Sequence, residues 1–159
     1  MKPSVNSLYL GIDPGVSGAM AYVRKSGQVA EVNALPTMKV TRGSELDLKT
    51  LRDMLMRNVH KTVFCCIEDV HSFPKQGVAS TFKFGMAYGQ LLGLLHGLRL
   101  RVYRVRPHEW RSRVLKGMPK GKDASIRYVN ESQVGVDVGK NHNKADAICI
   151  AEYGIRTYA

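Results

Sequence analysis

Three carboxylates lie at the ends of apolar segments and could hold metal ions. Asp13 ends an apolar run that begins at Leu8, Glu68 follows the apolar run 62–67, and Asp146 lies near the start of the last apolar segment. Hard divalent cations take oxygen ligands, and clustered carboxylates repel one another unless a cation lies between them. Two such ions about 3.5–4 Å apart can activate a water and stabilise the leaving oxygen in phosphodiester cleavage. The pattern therefore indicates a hydrolytic metal site, although one such acid alone is usually a cap or an ion-pair partner.

A histidine precedes the third acid by one helical turn. His142 and Asp146 share a helix face if the last helix already begins at His142. In that position the imidazole could bind a metal ion or transfer a proton, whereas a lone histidine is more often a surface or capping residue. Asn143 could be the N-cap of this helix, because its side-chain oxygen can accept from a free backbone N–H. Asn141 could then be only a turn residue.

The net charge of the chain is +11, and most of it falls in one segment. Between Arg99 and Lys122 there are nine basic residues and one acidic residue, Glu109, so this segment carries +8. A surface this positive attracts polyanions. Nucleic acid is therefore the first partner class that we predict, and an anionic membrane surface is the weaker alternative.

Length and composition favour one soluble domain over residues 1–159. The chain is 44% hydrophobic and 23% charged, which is ordinary for a globular protein. No apolar run approaches the ~20 residues that span a membrane, and the polar N-terminus does not resemble a signal peptide. Cys65, Cys66 and Cys149 form no C-x-x-C pair, and their apolar surroundings predict buried thiols in a reducing compartment.

The segments that must position these side chains alternate between strand and helix patterns. Strands alternating with helices predict an α/β domain with a mixed, five-stranded central sheet in the order βββαβαβα. Pro107 should end the last strand, and the segment 112–122 is basic and rich in glycine. The expected elements are strands at 8–13, 19–24 and 28–35, a helix at 46–59, a strand at 62–67, a helix at 80–98, a strand at 100–105, and helices at 123–131 and 144–158.

Four glycines fall four residues apart in the predicted helix 80–98: Gly85, Gly89, Gly93 and Gly97. They form one stripe on the helix, and each costs about 1 kcal/mol relative to alanine in a helix interior. Close approach of another backbone would compensate for this cost. The helix could lie tightly on its own sheet, or it could meet a partner helix across a dimer axis.

Five motifs in order resemble RuvC-type Holliday junction resolvases. They are GIDPG at 11–15 with GA at 18–19, IEDV at 67–70, STFKFGMAYG at 80–89, VxPxxWR at 105–111 and KADA at 144–147. Phage and prophage members look most similar, because they carry a segment like GVASTF at 77–82. The resemblance covers nearly the whole chain.

This resemblance implies an RNase H-like fold, a homodimer and cleavage of branched DNA that depends on Mg²⁺, with Mn²⁺ as a substitute. It implies that Asp13, Glu68 and Asp146 are the catalytic, metal-binding acids, with His142 beside them. It also implies action in the cytoplasm of a bacterial host cell, with four-way junctions as the substrate.

Asn141 departs from the family pattern. Similar proteins have Lys-Asp-His where this chain reads Lys-Asn-His at 140–142. An amide could be a metal ligand through its oxygen, but it does not supply the negative charge of a carboxylate. Either Asp146 and His142 suffice at the metal site, or this chain is weakened by the change.

Basic residues around and after the fourth motif are candidate DNA contacts, because Lys and Arg contacts to phosphates supply most sequence-independent affinity. Arg111 and Lys122 are favoured, since they match positions where the family has basic residues near its metal site. His71 and Phe73 could stack on an unpaired base, or Phe73 could pack under its loop. Trp110 is interpreted as an anchor for the surrounding chain. The basic candidates are Arg104, Arg106, Arg111, Arg113, Lys116 and Lys122.

Three other functions compete with junction cleavage. A non-catalytic module of the same fold could bind branched DNA, and the high charge and Asn141 would suit it. A nuclease with the same metal chemistry could prefer flaps or RNA–DNA hybrids. An Asp-x-Gly after a strand also opens the actin-like and sugar-kinase folds, but those need two such domains, and 159 residues provide one.

Overall fold

The structure, a computed structural model, describes residues 4–72, 74–132 and 136–159. Five strands come first in the described chain, strands and helices then alternate, and three helices end it. A short 3-10 helix at Val59–Lys61 leads into the sixth strand. The elements are β1 (Leu8–Asp13), β2 (Ala19–Arg24), β3 (Val29–Ala34), β4 (Thr37–Val40), β5 (Gly43–Leu46), α1 (Leu48–Met56), β6 (Thr62–Glu68), α2 (Val78–Gly97), β7 (Val102–Val105), α3 (Pro107–Val114), α4 (Ala124–Ser132) and α5 (His142–Tyr158).

Five of these strands form one mixed sheet in the order β3-β2-β1-β6-β7. The first three strands form an antiparallel meander, and β6 and β7 add to it in parallel. The predicted α/β fold with a mixed five-stranded sheet is therefore confirmed. β1 and β6 lie in the middle of the sheet, where their apolar side chains are covered on both faces.

Side chains on the two central strands alternate between two cores. On β1, Leu10 and Ile12 pack in the core with α1 and α2, whereas Tyr9 packs in the core with α5. On β6, Cys65 belongs to the first core and Cys66 to the second. Because the strand period is two residues, the acids that end β1 and β6 both face α5.

Helix α5 lies unusually close to the sheet, and glycine makes this possible. A Cβ atom on Gly11 of β1 would lie 2.1 Å from the main-chain oxygen of Ala147 and 2.5 Å from the nitrogen of Ala151. A Cβ on Gly154 would lie 2.5 Å from the sulfur of Cys66. The absence of side chains on both sides of this interface fixes the height of α5 above β1 and β6.

The sequence analysis does not predict the hairpin of β4 and β5. β4 and β5 form a separate hairpin, so the predicted helix 46–59 begins only after Leu46. Lys83 of α2 donates to the main-chain oxygen of Arg42 in this hairpin, at 2.7 Å. Helix α3 also was not expected. Pro107 does end β7, but it also occupies the first position of a helix, where its missing N–H costs nothing.

The glycine stripe of α2 does not face the sheet. Ala87, Leu91 and Leu95 are the buried residues of this helix. The four glycines are exposed, and a Cβ on any of them would meet no atom within 4 Å. The interpretation that α2 lies tightly on its own sheet through these glycines is therefore wrong.

Within the described residues, no helix is both long and apolar enough to cross a membrane.

Gly11→Ala is expected to lower the free energy of unfolding by about 3 kcal/mol or more, because the new methyl group would overlap backbone atoms of α5. Gly97→Ala is the matched control, since its methyl group enters open space at the end of a helix. This control should raise stability by up to about 1 kcal/mol. Urea denaturation measures both, and equal effects of the two substitutions would contradict the close packing of α5 on β1.

Candidate active site

Asp13 and Glu68 come together because their strands are parallel neighbours. Ile12 and Ile67, the residues just before them, are paired across the β1–β6 ladder. The two acids therefore follow at the same edge of the sheet and on the same face. Both side chains are half-buried. The register of β1 and β6 thus places the two strand-terminal acids next to each other.

Asp146 reaches the same edge from the second turn of α5. The helix begins at His142, and its N-cap is Asn141, whose side-chain oxygen accepts from the Lys144 N–H at 3.0 Å. The interpretations of Asn143 as the cap and of Asn141 as only a turn residue are wrong. Asn143 instead donates to the main-chain oxygen of Ser17 at 2.5 Å, which ties the start of α5 to the turn after β1.

The three acids interact through their charges. The pKa of Asp13 is raised to about 8, chiefly by burial and further by the charges of Glu68 and Asp146, whereas Arg111 lowers it. Burial also raises the pKa of Glu68, with a further rise from Asp146. Burial raises the pKa of Asp146, which the nearby Ser125 hydroxyl, Arg111 and His142 partly offset. The carboxylates are thus held where ionising all of them is unfavourable.

Helix α3 supplies two side chains that contact these acids. Trp110 is fully buried and donates from Nε1 to Oε2 of Glu68 at 2.6 Å. Arg111 donates from Nη2 to Oδ2 of Asp146 at 3.0 Å, and its guanidinium carbon lies 4.5 Å from the centre of the Trp110 ring. The interpretation of Trp110 as an anchor is confirmed.

The sequence analysis does not predict that α3 contacts Glu68 and Asp146 directly. A local signal for this helix does exist. Pro107 stands at its first position, and Glu109, two residues later, accepts from the Arg106 N–H at 2.9 Å. A proline followed by an acid in the first turn is a helix-start pattern.

The residue types at this edge fit a hard divalent cation. Their donors are carboxylate oxygens, and Oδ1 of Asp146 is buried without a well-formed hydrogen bond. Among the described residues, no three His, Cys, Asp or Glu side chains are already close enough together to hold a metal ion. Trp110 and Arg111 hold Glu68 and Asp146 in this arrangement, so a cation would have to draw the carboxylates together.

His142 lies at the start of α5, one turn before Asp146. Its Nδ1 is 3.2 Å from the main-chain oxygen of Lys122 and 3.9 Å from a carboxylate oxygen of Asp123. A proton on Nδ1 would be donated to that carbonyl, which leaves Nε2 as the basic nitrogen. Because α5 begins at His142, this residue and Asp146 are four positions apart in one helix and share a face, as the sequence analysis required.

Several of the arginines predicted to bind DNA have partners within the protein. Arg104 forms an ion pair with Asp69 at 2.6 Å and donates to the Tyr88 hydroxyl at 3.1 Å. Arg106 lies 3.3 Å from a carboxylate oxygen of Glu109. These contacts neutralise part of the positive charge of the segment, although each guanidinium has further N–H donors.

The loop between α3 and α4 forms a cavity of about 400 Å³ beside the acids. Arg111, Lys116 and Lys120 line it, together with the apolar side chains of Leu115 and Met118. The structure thus gathers two of the predicted DNA contacts, Arg111 and Lys116, at one opening. The predicted Lys122 side chain is exposed nearby in sequence, and Lys120 is an addition to the predicted set.

The remaining predicted contacts lie elsewhere. Arg113 donates to the main-chain oxygen of Arg156 at 3.0 Å and so links α3 to α5. His71 is exposed in the loop after β6. Phe73 lies outside the described residues.

The three cysteines are free and buried, as expected.

Two solved structures of Thermus thermophilus RuvC are similar to this chain. One, RuvC in complex with Holliday junction substrate, has a TM-score of 0.67 at 16% sequence identity, over 92% of each chain. This chain has the RuvC fold. The other RuvC structure has a TM-score of 0.53 at 18% identity, over 94% of this chain and 95% of that chain. No protein-family model and no curated protein matches the sequence. The expected RNase H-like α/β fold of RuvC is confirmed by these similarities.

Asp13→Asn is expected to flatten the pH dependence of stability. The folded-state pKa of Asp13 is about 8, well above its ordinary value of 3.8. Between these values the folded protein holds a proton that the unfolded chain has lost, so the free energy of unfolding falls as pH rises. From about pH 5 to about pH 8, the unsubstituted protein should lose on the order of 2 kcal/mol more than Asp13→Asn.

Urea denaturation in EDTA at several pH values measures this difference. Asp53→Asn, on the exposed surface of α1, is the control and should follow the unsubstituted protein. Parallel stability curves for Asp13→Asn and the unsubstituted protein would contradict the burial and repulsion described above.

Proposed function

We propose that the protein is a structure-selective endonuclease, a single nuclease domain that resolves four-way and other branched DNA junctions by metal-dependent hydrolysis of phosphodiester bonds. The observation that carries the proposal is the meeting of Asp13, Glu68 and Asp146 at one edge of a RuvC-fold sheet, beside a basic opening. The similar RuvC structure contains a Holliday junction substrate. The setting would be the cytoplasm of a bacterial cell, with a phage or prophage as the source.

The three acids would hold Mg²⁺, or Mn²⁺ in its place. Bound ions of this kind supply an activated water and stabilise the leaving oxygen. The carboxylates project from two strands and one helix toward one edge of the sheet, so a bound cation would draw the side chains together without displacing these elements. Asn141 is assigned no metal-binding role, because its side chain is uncharged and its oxygen already caps α5.

His142 would assist at the edge of the site. With Nδ1–H donated to Lys122, its Nε2 can accept a proton or bind a metal ion. The same contact ties the metal side of the site to the basic loop before α4, because Lys122 belongs to that loop. Movement of the loop would therefore change the orientation of the imidazole.

The basic opening would bind DNA through phosphates. Lys116, Lys120 and Lys122 are exposed, and Arg111 connects this surface to the acids. Contacts of this type carry little sequence information. Selectivity for a junction would then come from the spacing of two such surfaces in an assembly.

A homodimer through α2 would provide that spacing. Gly85, Gly89 and Gly93 form an exposed face where the backbone carries no side chain and another helix could approach closely. Val78 and Phe82 at the start of the helix are 87% and 70% exposed, so this face is also partly apolar. A two-fold axis would present two active sites to the two strands of a junction that must be cut.

Asp13→Asn, Glu68→Gln and Asp146→Asn should each reduce cleavage of a labelled four-way junction by at least about a hundredfold, because each removes a metal-binding charge. Binding of the junction in EDTA should remain. Asp69→Asn is the matched control: Asp69 adjoins Glu68 but pairs with Arg104, away from the other acids. Denaturing gels with Mg²⁺, Mn²⁺ or EDTA measure the cleavage.

The same experiment separates the proposal from its alternatives. Tight junction binding without cleavage in either metal would favour the catalytically weakened binding module, for which the uncharged Asn141 is the supporting observation. Faster cleavage of flaps or RNA–DNA hybrids than of junctions would favour a broader nuclease. Any acid variant that cuts at the original rate would remove that residue from the site.

Gly89→Leu is expected to convert the dimer into a monomer that remains folded. The leucine enters open space in the single chain, but it would obstruct a second helix packed on this face. Asn130→Leu, on the exposed side of α4, is the control for an added apolar surface side chain. Sedimentation at micromolar concentration, with circular dichroism as the check of folding, measures the result, and a monomeric unsubstituted protein would contradict the dimer.

A further inference from the structure

Arg111 lies between two parts of the proposed site that have opposite charge. One N–H group donates to Oδ2 of Asp146, and the guanidinium lowers the pKa of Asp13 and Glu68 as well. The same residue lines the basic cavity with Lys116 and Lys120. Its side chain is 42% exposed, whereas that of Asp146 is 14% exposed. Arg111 can therefore turn toward solvent, and its carboxylate partner cannot.

The contact with Asp146 opposes the binding of a divalent cation to the same oxygen. Two positive groups within contact distance of one carboxylate oxygen repel each other strongly in a partly buried site. Oδ1 of Asp146 is buried and makes no well-formed hydrogen bond, so this carboxylate is incompletely satisfied by Arg111 alone. Arg111 thus offsets the negative charge of Asp146 but leaves its Oδ1 without a well-formed hydrogen bond.

Trp110 gives the arginine a place to remain when it leaves Asp146. The guanidinium already lies over the indole ring, and the indole is fixed by full burial and by its bond to Glu68. Stacking on an aromatic ring leaves the N–H groups at the edge of the guanidinium free for new acceptors. A rotation of the side chain is thus sufficient, and α3 need not move.

The geometry points to Arg111 as a positioning residue that couples cation binding to phosphate binding: it neutralises Asp146 in the metal-free protein and, once the acids hold a divalent cation, turns to bind a DNA phosphate at the basic cavity. This inference rests on the proposed function and adds a link between its two ligands. By reciprocity, phosphate binding by Arg111 must then also favour cation binding.

The first test measures Ca²⁺ binding without DNA. Trp110 is the single tryptophan of the chain and donates to Glu68, so its fluorescence reports on the acids. Arg111→Gln should bind Ca²⁺ at least about fivefold more tightly than the unsubstituted protein, because a competing cation is removed. The titration is made near pH 9, above the pKa of about 8 of Asp13, so that protonation of this acid does not conceal the change.

Arg113→Gln is the matched control for this titration. It removes the same charge from the same helix, but Arg113 donates to the main-chain oxygen of Arg156 and not to an acid of the site. Its Ca²⁺ affinity should change by less than about twofold. If Arg111→Gln and Arg113→Gln shift the affinity equally, or if Arg111→Gln weakens it, the competition between Arg111 and the cation is refuted.

The second test is a double-mutant cycle on junction binding in EDTA, where no cleavage occurs. Asp146→Asn removes the charge that holds Arg111, so it should strengthen junction binding in the unsubstituted background by at least about fivefold more than in the Arg111→Gln background. An equal gain in both backgrounds would mean only a loss of negative charge near DNA and would overturn the proposal.

Both tests also separate this inference from the proposed function. An unsubstituted protein that cleaves junctions, combined with no coupling in the cycle, rejects the role of Arg111 alone. A protein that neither binds nor cuts junctions rejects the proposed function, whereas the Ca²⁺ titration still decides the competition at Asp146. If thermal melting shows that Arg111→Gln is unfolded, Arg111→Lys replaces it, with the same direction and a smaller shift expected because the planar fork is lost.

Discussion

The close packing of α5 on β1 is the constraint on which the candidate site depends. Asp13 and Glu68 are brought together by the sheet, but Asp146 belongs to a helix whose height above the sheet is set by Gly11 and Gly154. With side chains at these positions α5 would lie further out, and the third acid would leave the cluster. The lack of side chains at Gly11 and Gly154 thus determines how close Asp146 lies to Asp13 and Glu68.

Strand alternation then divides neighbouring residues between different tasks. Glu68 faces α5 and the acids, whereas Asp69, the next residue, pairs with Arg104 and Tyr88 near α2. The two carboxylates are adjacent in sequence but do not act in one group. This division keeps the site at three acids while Asp69 joins the end of β6 to α2.

The positive charge of the chain is also divided. The partners of Arg104 and Arg113 hold elements together, Arg106 pairs within the first turn of α3, and Arg111 is turned toward the acids. The exposed lysines at 116, 120 and 122 carry the charge that faces solvent beside the site. Net charge therefore indicates the class of partner, and the hydrogen-bond partners of each cation decide which surface attracts it.

Trp110 and Arg111 connect the acids to the positively charged surface beside them. The indole is packed in the core and bonded to Glu68, and the guanidinium above it reaches Asp146. A single turn of α3 thus fixes the ends of two acids that come from a strand and from a helix. Because α3 starts at Pro107, directly after β7, its position follows from the edge of the sheet.

The sequence by itself determined the central strands and the acids that end them, because apolar runs and the residues that terminate them are local properties. That Asp13 and Glu68 meet was decided by the pairing of β1 with β6, since parallel neighbours bring equivalent ends to one edge. Only the tertiary structure decided that Asn141 caps α5, that the glycines of α2 face outward and that Arg111 pairs with Asp146. The Arg111–Asp146 pair depends on how far α3 and α5 lie from the sheet, and the direction of the glycines depends on which face of α2 is buried. Both are set by packing between residues remote in the chain.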